Sequence, residues 1–249
     1  MSQNEDKERR SIKSFVPLRK LGVLGGMGPA ASAEFLRLLA VKAPASKDQE
    51  HPIVYMVSDP QIPDRSSAIL GQGEDPSERL KKDLFSLVEM GADIVAVPCN
   101  TAHYFIDRFR DEIAVPLVHI VEETVLAAKK LSPEGSWMLS TIGTKQCGLY
   151  QKYADAADYT LWIPSSDVSD AVQESSNLIK ASKMSEAKVL VRDIVLELWK
   201  EKNLSIMAAC TEFPLAYDAS ELPPERIVSS IGALADACLA ILYKEQNRI

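Results

Sequence analysis

Short apolar runs alternate with stretches of helical period along this chain, and the alternation restarts halfway. This feature limits the fold more than any other. Strands that are apolar throughout and separated by helices belong to parallel sheets covered on both faces. In the first half, residues 20–25, 53–57, 94–97 and 116–120 read as strands. A helix is expected over 30–42, with Ala33, Leu36 and Ala40 on one face. Another starts at Asp75, which caps it, with Pro76 at the first helical position and Glu78 returning the capping bond. Leu80, Leu84, Leu87 and Val88 form its apolar face, and Gly91 stops it. The segment from Asp59 to Arg65 is too rich in proline for regular structure. In the second half, residues 137–142, 159–163, 206–209 and 227–228 read as strands. One helix there carries Ala187, Val191, Ile194 and Leu198. The last carries Ile231, Leu234, Ala235, Cys238 and Leu242.

The two halves repeat in register. Aligning Cys99 with Cys210 brings Ile120 onto Ile231 without a gap. Each cysteine closes an apolar strand, with Thr101 or Thr211 just beyond it. Upstream, Leu24-Gly-Gly26 and Thr141-Ile-Gly143 each end a strand and open a helix. Two similar α/β lobes follow, and ligands of open α/β sheets bind outside the carboxyl ends of the strands. Facing lobes would present both cysteines to one cleft. The expected division is a flexible tail over 1–17, a first lobe over 18–118 completed by 214–249, and a second lobe over 119–213.

Composition narrows the function. The net charge of −7 argues against a protein that tracks nucleic-acid phosphates. Hydrophobic residues at 46% and charged residues at 25% suit a soluble globular protein of one large or two small domains. No apolar run approaches the roughly 18 residues of a membrane span. The charged first ten residues have no apolar core behind them, so no secretory leader is expected. The four cysteines lack CxxC spacing, which points to free thiols in a reducing cytoplasm. Three histidines without paired-ligand spacing make a zinc site at Cys99 and His103 the weaker reading, and no metal is expected.

A cysteine between a strand end and a helix start is placed for a lowered pKa, because free amides and the helix dipole favour the thiolate. Taken singly, each cysteine also reads as a small core residue. Their matched positions favour chemistry. A thiolate and a thiol facing each other can invert a carbon that bears a hydrogen: one removes a proton while the other delivers one to the opposite face.

The motifs Leu24-Gly-Gly-Met-Gly-Pro29, Pro60-Gln-Ile-Pro-Asp-Arg-Ser66, Pro98-Cys-Asn-Thr-Ala-His103, Gly143-Thr144 with Gly148-Leu-Tyr150, and Ala209-Cys-Thr-Glu212 together resemble the aspartate/glutamate racemase family. They run in the family's order from about residue 20 to residue 217. The resemblance implies two pseudo-symmetric lobes, each with a mainly parallel four-stranded sheet flanked by helices, and an active site between them. It implies racemisation of aspartate, glutamate or both without pyridoxal phosphate or another cofactor, with Cys99 and Cys210 as the two bases. A homodimer is expected, with no nucleic-acid or membrane partner. Ala209 stands where the family commonly has glycine, adding a methyl beside a catalytic thiol, and Ser66 where threonine is common.

The family pattern also brings Arg65 and Lys180 to the site, which suits a substrate with two carboxylates because arginine grips one through a planar fork. Met27 and Gly28 of the glycine turn are expected to touch substrate. So are Asn100, Thr101, Thr144 and Thr211, which otherwise read as helix caps. Glu212 is expected either to bind the substrate ammonium or to orient Cys210. Lys180 ends a polar stretch from Ser175 that reads as a mobile lid, or alternatively as a solvated surface lysine. An ion pair with Asp59 or Asp64 is the alternative for Arg65. His103 reads as a cap or packed residue, Cys147 as capping or packing, and Cys238 as core.

Other functions remain open on the sequence. Gly26-Met-Gly28-Pro-Ala-Ala31 fits a loose dinucleotide-binding turn, although Pro29 and the distance to Asp59 fit poorly. A non-catalytic amino-acid-binding protein would use the same cleft. A related cysteine enzyme acting on hydantoins or malonates would keep the thiols and change what Arg65 and Lys180 hold.

Overall fold

A computed structural model describes residues 16–244 of the chain. The expected tail over 1–17 therefore lies, except for its last two residues, outside the described residues. Eight strands form two four-stranded sheets, parallel throughout. The first contains β1 (Leu21–Gly25), β2 (Val54–Ser58), β3 (Ile94–Ala96) and β4 (Leu117–Val118), in the order β2-β1-β3-β4. The second contains β5 (Ser136–Ser140), β6 (Leu161–Trp162), β7 (Ser205–Ala209) and β8 (Ile227–Ser229), in the order β6-β5-β7-β8. The second sheet thus repeats the first, strand for strand.

Alternation along the strands sorts side chains into three apolar layers. Leu21, Val23, Ile94 and Ala96 of one sheet and Met138, Met207 and Ala209 of the other face a shared central layer. That layer is filled by the helices α1 (Pro29–Lys42), α5 (Ile120–Leu131), α7 (Leu149–Ala156) and α11 (Ser230–Leu242). Leu24, Val95 and Val97 face outward under α3 (Ser77–Glu89) and α4 (His103–Ile106). Trp137, Leu139, Ile206 and Ala208 face outward under α8 (Ser166–Lys180), α9 (Met184–Glu201) and α10 (Phe213–Asp218). Two short helices, α2 (Arg65–Ile69) and α6 (Ile142–Gln146), complete the set and meet across the gap between the lobes.

Local signals explain much of this. Asp75 Oδ1 accepts from Ser77 N at 2.8 Å, but α3 begins one residue later than expected, with Pro76 and not Asp75 at the cap position. Leu80, Leu84 and Leu87 are its buried stripe, and Gly91 ends it with a φ of +93°, where a side chain would be strained. Glu78 makes no return hydrogen bond among the described residues. The expected stripes of α9 and α11 are buried as read.

Several elements differ from the sequence reading. The buried stripe of α1 is Ala31, Phe35 and Leu39, not Ala33, Leu36 and Ala40. Both sets are apolar at helical spacing, and burying the Phe35 ring removes more area from water. The strand expected over 137–142 stops at Ser140, because Thr141 instead caps α6 by accepting from Thr144 N. The stretch from Ser175 to Lys180, expected as a polar lid, is the last part of α8, with Ser175 and Ser176 buried. Finally, β8 pairs with β7 in the second sheet, although it lies in the segment expected to complete the first lobe. The helix after it packs on both α1 and α5.

Candidate active site

The carboxyl ends of the central strands of both sheets converge on one cleft. It is lined by Met27 beyond β1, Cys99, Asn100 and Thr101 beyond β3, Thr141 beyond β5, and Cys210, Thr211 and Glu212 beyond β7. Asp64, Arg65 and Ser66 enter from the start of α2, and Lys180 from the end of α8. The free space is about 330 Å3 with solvent at the mouth included, of which about 20 Å3 admits the centre of a water molecule. The enclosed part holds little more than a water molecule, so the cleft is narrow and closed and leaves no room for a dinucleotide. The carboxylate of Asp59, which a dinucleotide reading would need, is instead held by Arg79.

Both cysteines are buried, and each belongs to the outer apolar layer of its own lobe. Cys99 N donates to Val97 O at 2.8 Å, and Cys99 O accepts from His103 Nδ1 at 2.8 Å. Cys210 Sγ donates to Glu212 Oε2 at 3.2 Å. The expected lowering of thiol pKa is reversed at Cys210. Burial and then the neighbouring Glu212 charge push it up to about 12, against the pull of Lys180. Cys210 therefore rests as a thiol. The methyl of Ala209 packs into the central layer, on the opposite side of the strand from Cys210.

Of the buried polar atoms that have no hydrogen-bond partner among the described residues, two belong to residues lining the cleft: Arg65 Nε and Glu212 Oε1. Leaving such a group unpaired costs about 1–3 kcal/mol, so each asks for a ligand. Arg65 Nη1 donates to Ile62 O and Pro63 O, both at 3.1 Å, which fixes the guanidinium. Among the described residues it forms no ion pair with Asp59 or Asp64. Glu212 spends Oε2 on Cys210 and on the Thr211 hydroxyl at 3.2 Å. One free donor of positive charge and one free acceptor of negative charge thus border the two thiols.

The other expected contacts divide. Asn100 is in the cleft wall, but Nδ2 donates to Ser230 Oγ at 2.9 Å and Oδ1 accepts from Tyr150 OH at 2.6 Å. Thr101 Oγ1 lies 2.7 Å from Thr144 Oγ1 and 3.1 Å from Thr141 Oγ1, tying the lobes together at the cleft floor. Thr144 does not line the cleft and is joined to it by its hydrogen bond with Thr101. Gly28 does not line it either, and a Cβ there would stand 3.4 Å from Glu212 Oε1. Lys180 is exposed at the mouth. His103 is fully buried against His119, with ring centroids 4.4 Å apart, and burial first of all drives its pKa well below the usual value.

Four residues of the site escaped the sequence reading. Asp64 caps α2 through Ser67 N; burial would raise its pKa, but Ser67 and the charges of Arg65 and Lys180 hold it below the usual range. Ser66 meets Gly143 so closely that a Cβ on Gly143 would lie 2.7 Å from Ser66 Cα. Thr141 was read as strand, and Ser176, 3.7 Å from Cys210 Sγ, as lid. Among the described residues, no three His, Cys, Asp or Glu side chains are grouped to hold a metal ion.

The profile of the Asp/Glu/Hydantoin racemase family matches residues 24–238. The chain belongs to that family, a family of isomerases. The broad-specificity amino-acid racemase RacX of Bacillus subtilis (strain 168) is 26% identical over 236 residues, covering 91% of this chain and 100% of the relative. The Picrophilus torridus aspartate racemase superposes with a TM-score of 0.78 at 25% identity, covering 92% of this chain and 96% of that one. The glutamate racemase RacE1 of Bacillus anthracis shares the fold with a TM-score of 0.61 at 20% identity, covering 91% of this chain and 82% of that one.

Proposed function

We propose that this protein racemises an acidic amino acid, aspartate or glutamate, by a two-cysteine transfer of protons that needs no cofactor. One observation carries the reading: Cys99 and Cys210, from equivalent strand ends of two repeated lobes, border one cleft with the unpaired Arg65 Nε and Glu212 Oε1. A zwitterion fills both vacancies, its α-carboxylate on Arg65 and its ammonium on Glu212. Lys180 at the mouth takes the side-chain carboxylate.

In one direction the Cys99 thiolate removes the α-proton. The C–H electron pair moves into the α-carbon, and its charge spreads onto the carboxylate held by Arg65. Cys210 gives its proton to the opposite face and becomes the thiolate, and the reverse direction exchanges these roles. Fixed donors and exclusion of water stabilise the carbanion-like state in place of a cofactor. We place the enzyme in the cytoplasm as a homodimer; sedimentation velocity should find a particle of twice the chain mass.

A second reading keeps the chemistry and widens the substrate. Asp64 and Glu212 balance Arg65 and Lys180 in the cleft, so a neutral side chain also fits electrostatically. Similarity to a broad-specificity racemase supports the same point. Chiral chromatography after incubation with each of the chiral standard amino acids tests both. Inversion of aspartate or glutamate well ahead of the rest is expected. Comparable rates on neutral amino acids support the wider reading, and inversion of none defeats both.

A further inference from the structure

We propose that Ser176 is a further catalytic residue, whose hydroxyl donates a hydrogen bond to the Cys210 sulfur when that sulfur is a thiolate. The inference rests on the two-cysteine reading above. Ser176 Oγ lies 3.7 Å from Cys210 Sγ, and the residue is 1% exposed. A buried helical serine ordinarily turns its hydroxyl back onto its own helix. Ser175 does so, donating to Val172 O at 2.7 Å. Ser176 does not: among the described residues its hydroxyl has no other hydrogen-bond partner.

The placement is held through the first half and the middle of α8. Gln173 Oε1 accepts from Ile142 N at 3.1 Å, and Lys145 Nζ donates to Ser169 Oγ at 2.7 Å, so the helix is pinned to α6. Ser176 lies one turn before Lys180, and residues four apart share a helix face. One face of α8 thus brings a hydroxyl to the sulfur and a cation to the mouth of the same cleft.

Two-base racemisation requires Cys210 to be an acid in one direction and a base in the other. As an acid it donates to Glu212 Oε2. As a thiolate it loses that bond and faces a carboxylate. The charged and titratable groups around it are Glu212, Asp64, Arg65, Lys180, Tyr150 and Cys99. Glu212 and Asp64 repel the thiolate. Arg65 and Lys180 attract it without hydrogen-bonding the sulfur. The Tyr150 hydroxyl is committed to Asn100, and that of Thr211 to Glu212. Ser176 is the neutral O–H within reach, and rotation of its hydroxyl hydrogen about the Cβ–Oγ bond converts S–H···O into O–H···S without moving a helix.

The test alkylates the full-length protein with iodoacetamide across a pH series and reads Cys210 and Cys99 separately by mass spectrometry of their peptides. Wild type, Ser176→Ala and Ser176→Thr are compared, with racemisation measured on the same samples. In Ser176→Ala, the half-maximal pH for Cys210 should rise by about one unit, since a hydrogen bond to a charged group is worth about tenfold or more. Cys99 should not change, and racemisation should fall about tenfold. Ser176→Thr, which keeps the hydroxyl, should recover most of both. An active wild type with an unshifted Cys210 in Ser176→Ala, or an equal shift at both cysteines, overturns the role of Ser176 alone. A wild type that inverts no amino acid overturns the two-cysteine reading and the catalytic role with it, whatever the alkylation shows.

Discussion

The two oxygens of Glu212 serve different partners, and that division sets the first expectation at the scale of single residues. Glu212→Gln keeps an acceptor beside Cys210 but removes the charge that helps to push its pKa up to about 12. Cys210 should then ionise at lower pH, read as earlier onset of alkylation. The Michaelis constant should rise about tenfold because the substrate ammonium loses an ionic partner. Arg65 and Lys180 differ in burial, and their variants should differ as well. Arg65→Ala should weaken every substrate, since it removes the grip on the α-carboxylate. Lys180→Ala, at an exposed position, should raise the Michaelis constant for aspartate and glutamate by a few-fold and leave neutral substrates unchanged, which steady-state kinetics on matched substrates will show. His103 gives a stability prediction with a definite sign. Its folded pKa lies below the unfolded value of about 6.5, so the unfolded chain binds the extra proton as pH falls. Stability should therefore be full above about pH 6.5 and decline below it. Urea midpoints between pH 7 and 5.5 should fall in wild type and fall less in His103→Asn, which keeps a donor for Cys99 O.

Among the elements, α2 and α6 control how closely the lobes approach. Gly143 lies against Ser66, so Gly143→Ala must push the lobes apart. Each lobe keeps its own sheet and outer core, so the melting temperature should change by only a few degrees. Catalytic efficiency should fall tenfold or more, because misplacing reacting groups by about 1 Å is costly. A variant with wild-type kinetics would mean that this contact does not set the cleft. The strands, α3, α9 and α11 were legible because their apolar spacing had one solution. The face of α1 was not, because two apolar stripes compete in its sequence and the Phe35 ring decides between them in three dimensions. Helix α8 was hidden by its serines, which are poor helix formers and favour caps and turns. Its buried Ser175 and Ser176 become intelligible only once the second sheet and Cys210 stand behind them.

The molecule as a whole is a repeat folded face to face. Strand order 2-1-3-4 in one sheet is matched by 6-5-7-8 in the other, and this symmetry brings together two cysteines far apart in the chain. The alignment of Cys99 with Cys210 made that pairing readable from sequence. What it left unread is the asymmetry between the lobes: Glu212 and Ser176 attend Cys210, while the His103 ring supports the carbonyl of Cys99. The tight cleft also implies that substrate enters with the lobes parted. Amide hydrogen exchange around α2 and α6 should slow when substrate is bound, and unchanged exchange there would argue for a cleft that stays closed. The most direct test of the central claim is racemisation in deuterated water by wild type, Cys99→Ser and Cys210→Ser, with solvent deuterium at the α-carbon read by mass spectrometry. The account predicts inversion accompanied by deuterium in wild type and loss of inversion in both variants. Inversion without deuterium, or full activity in either variant, would contradict it.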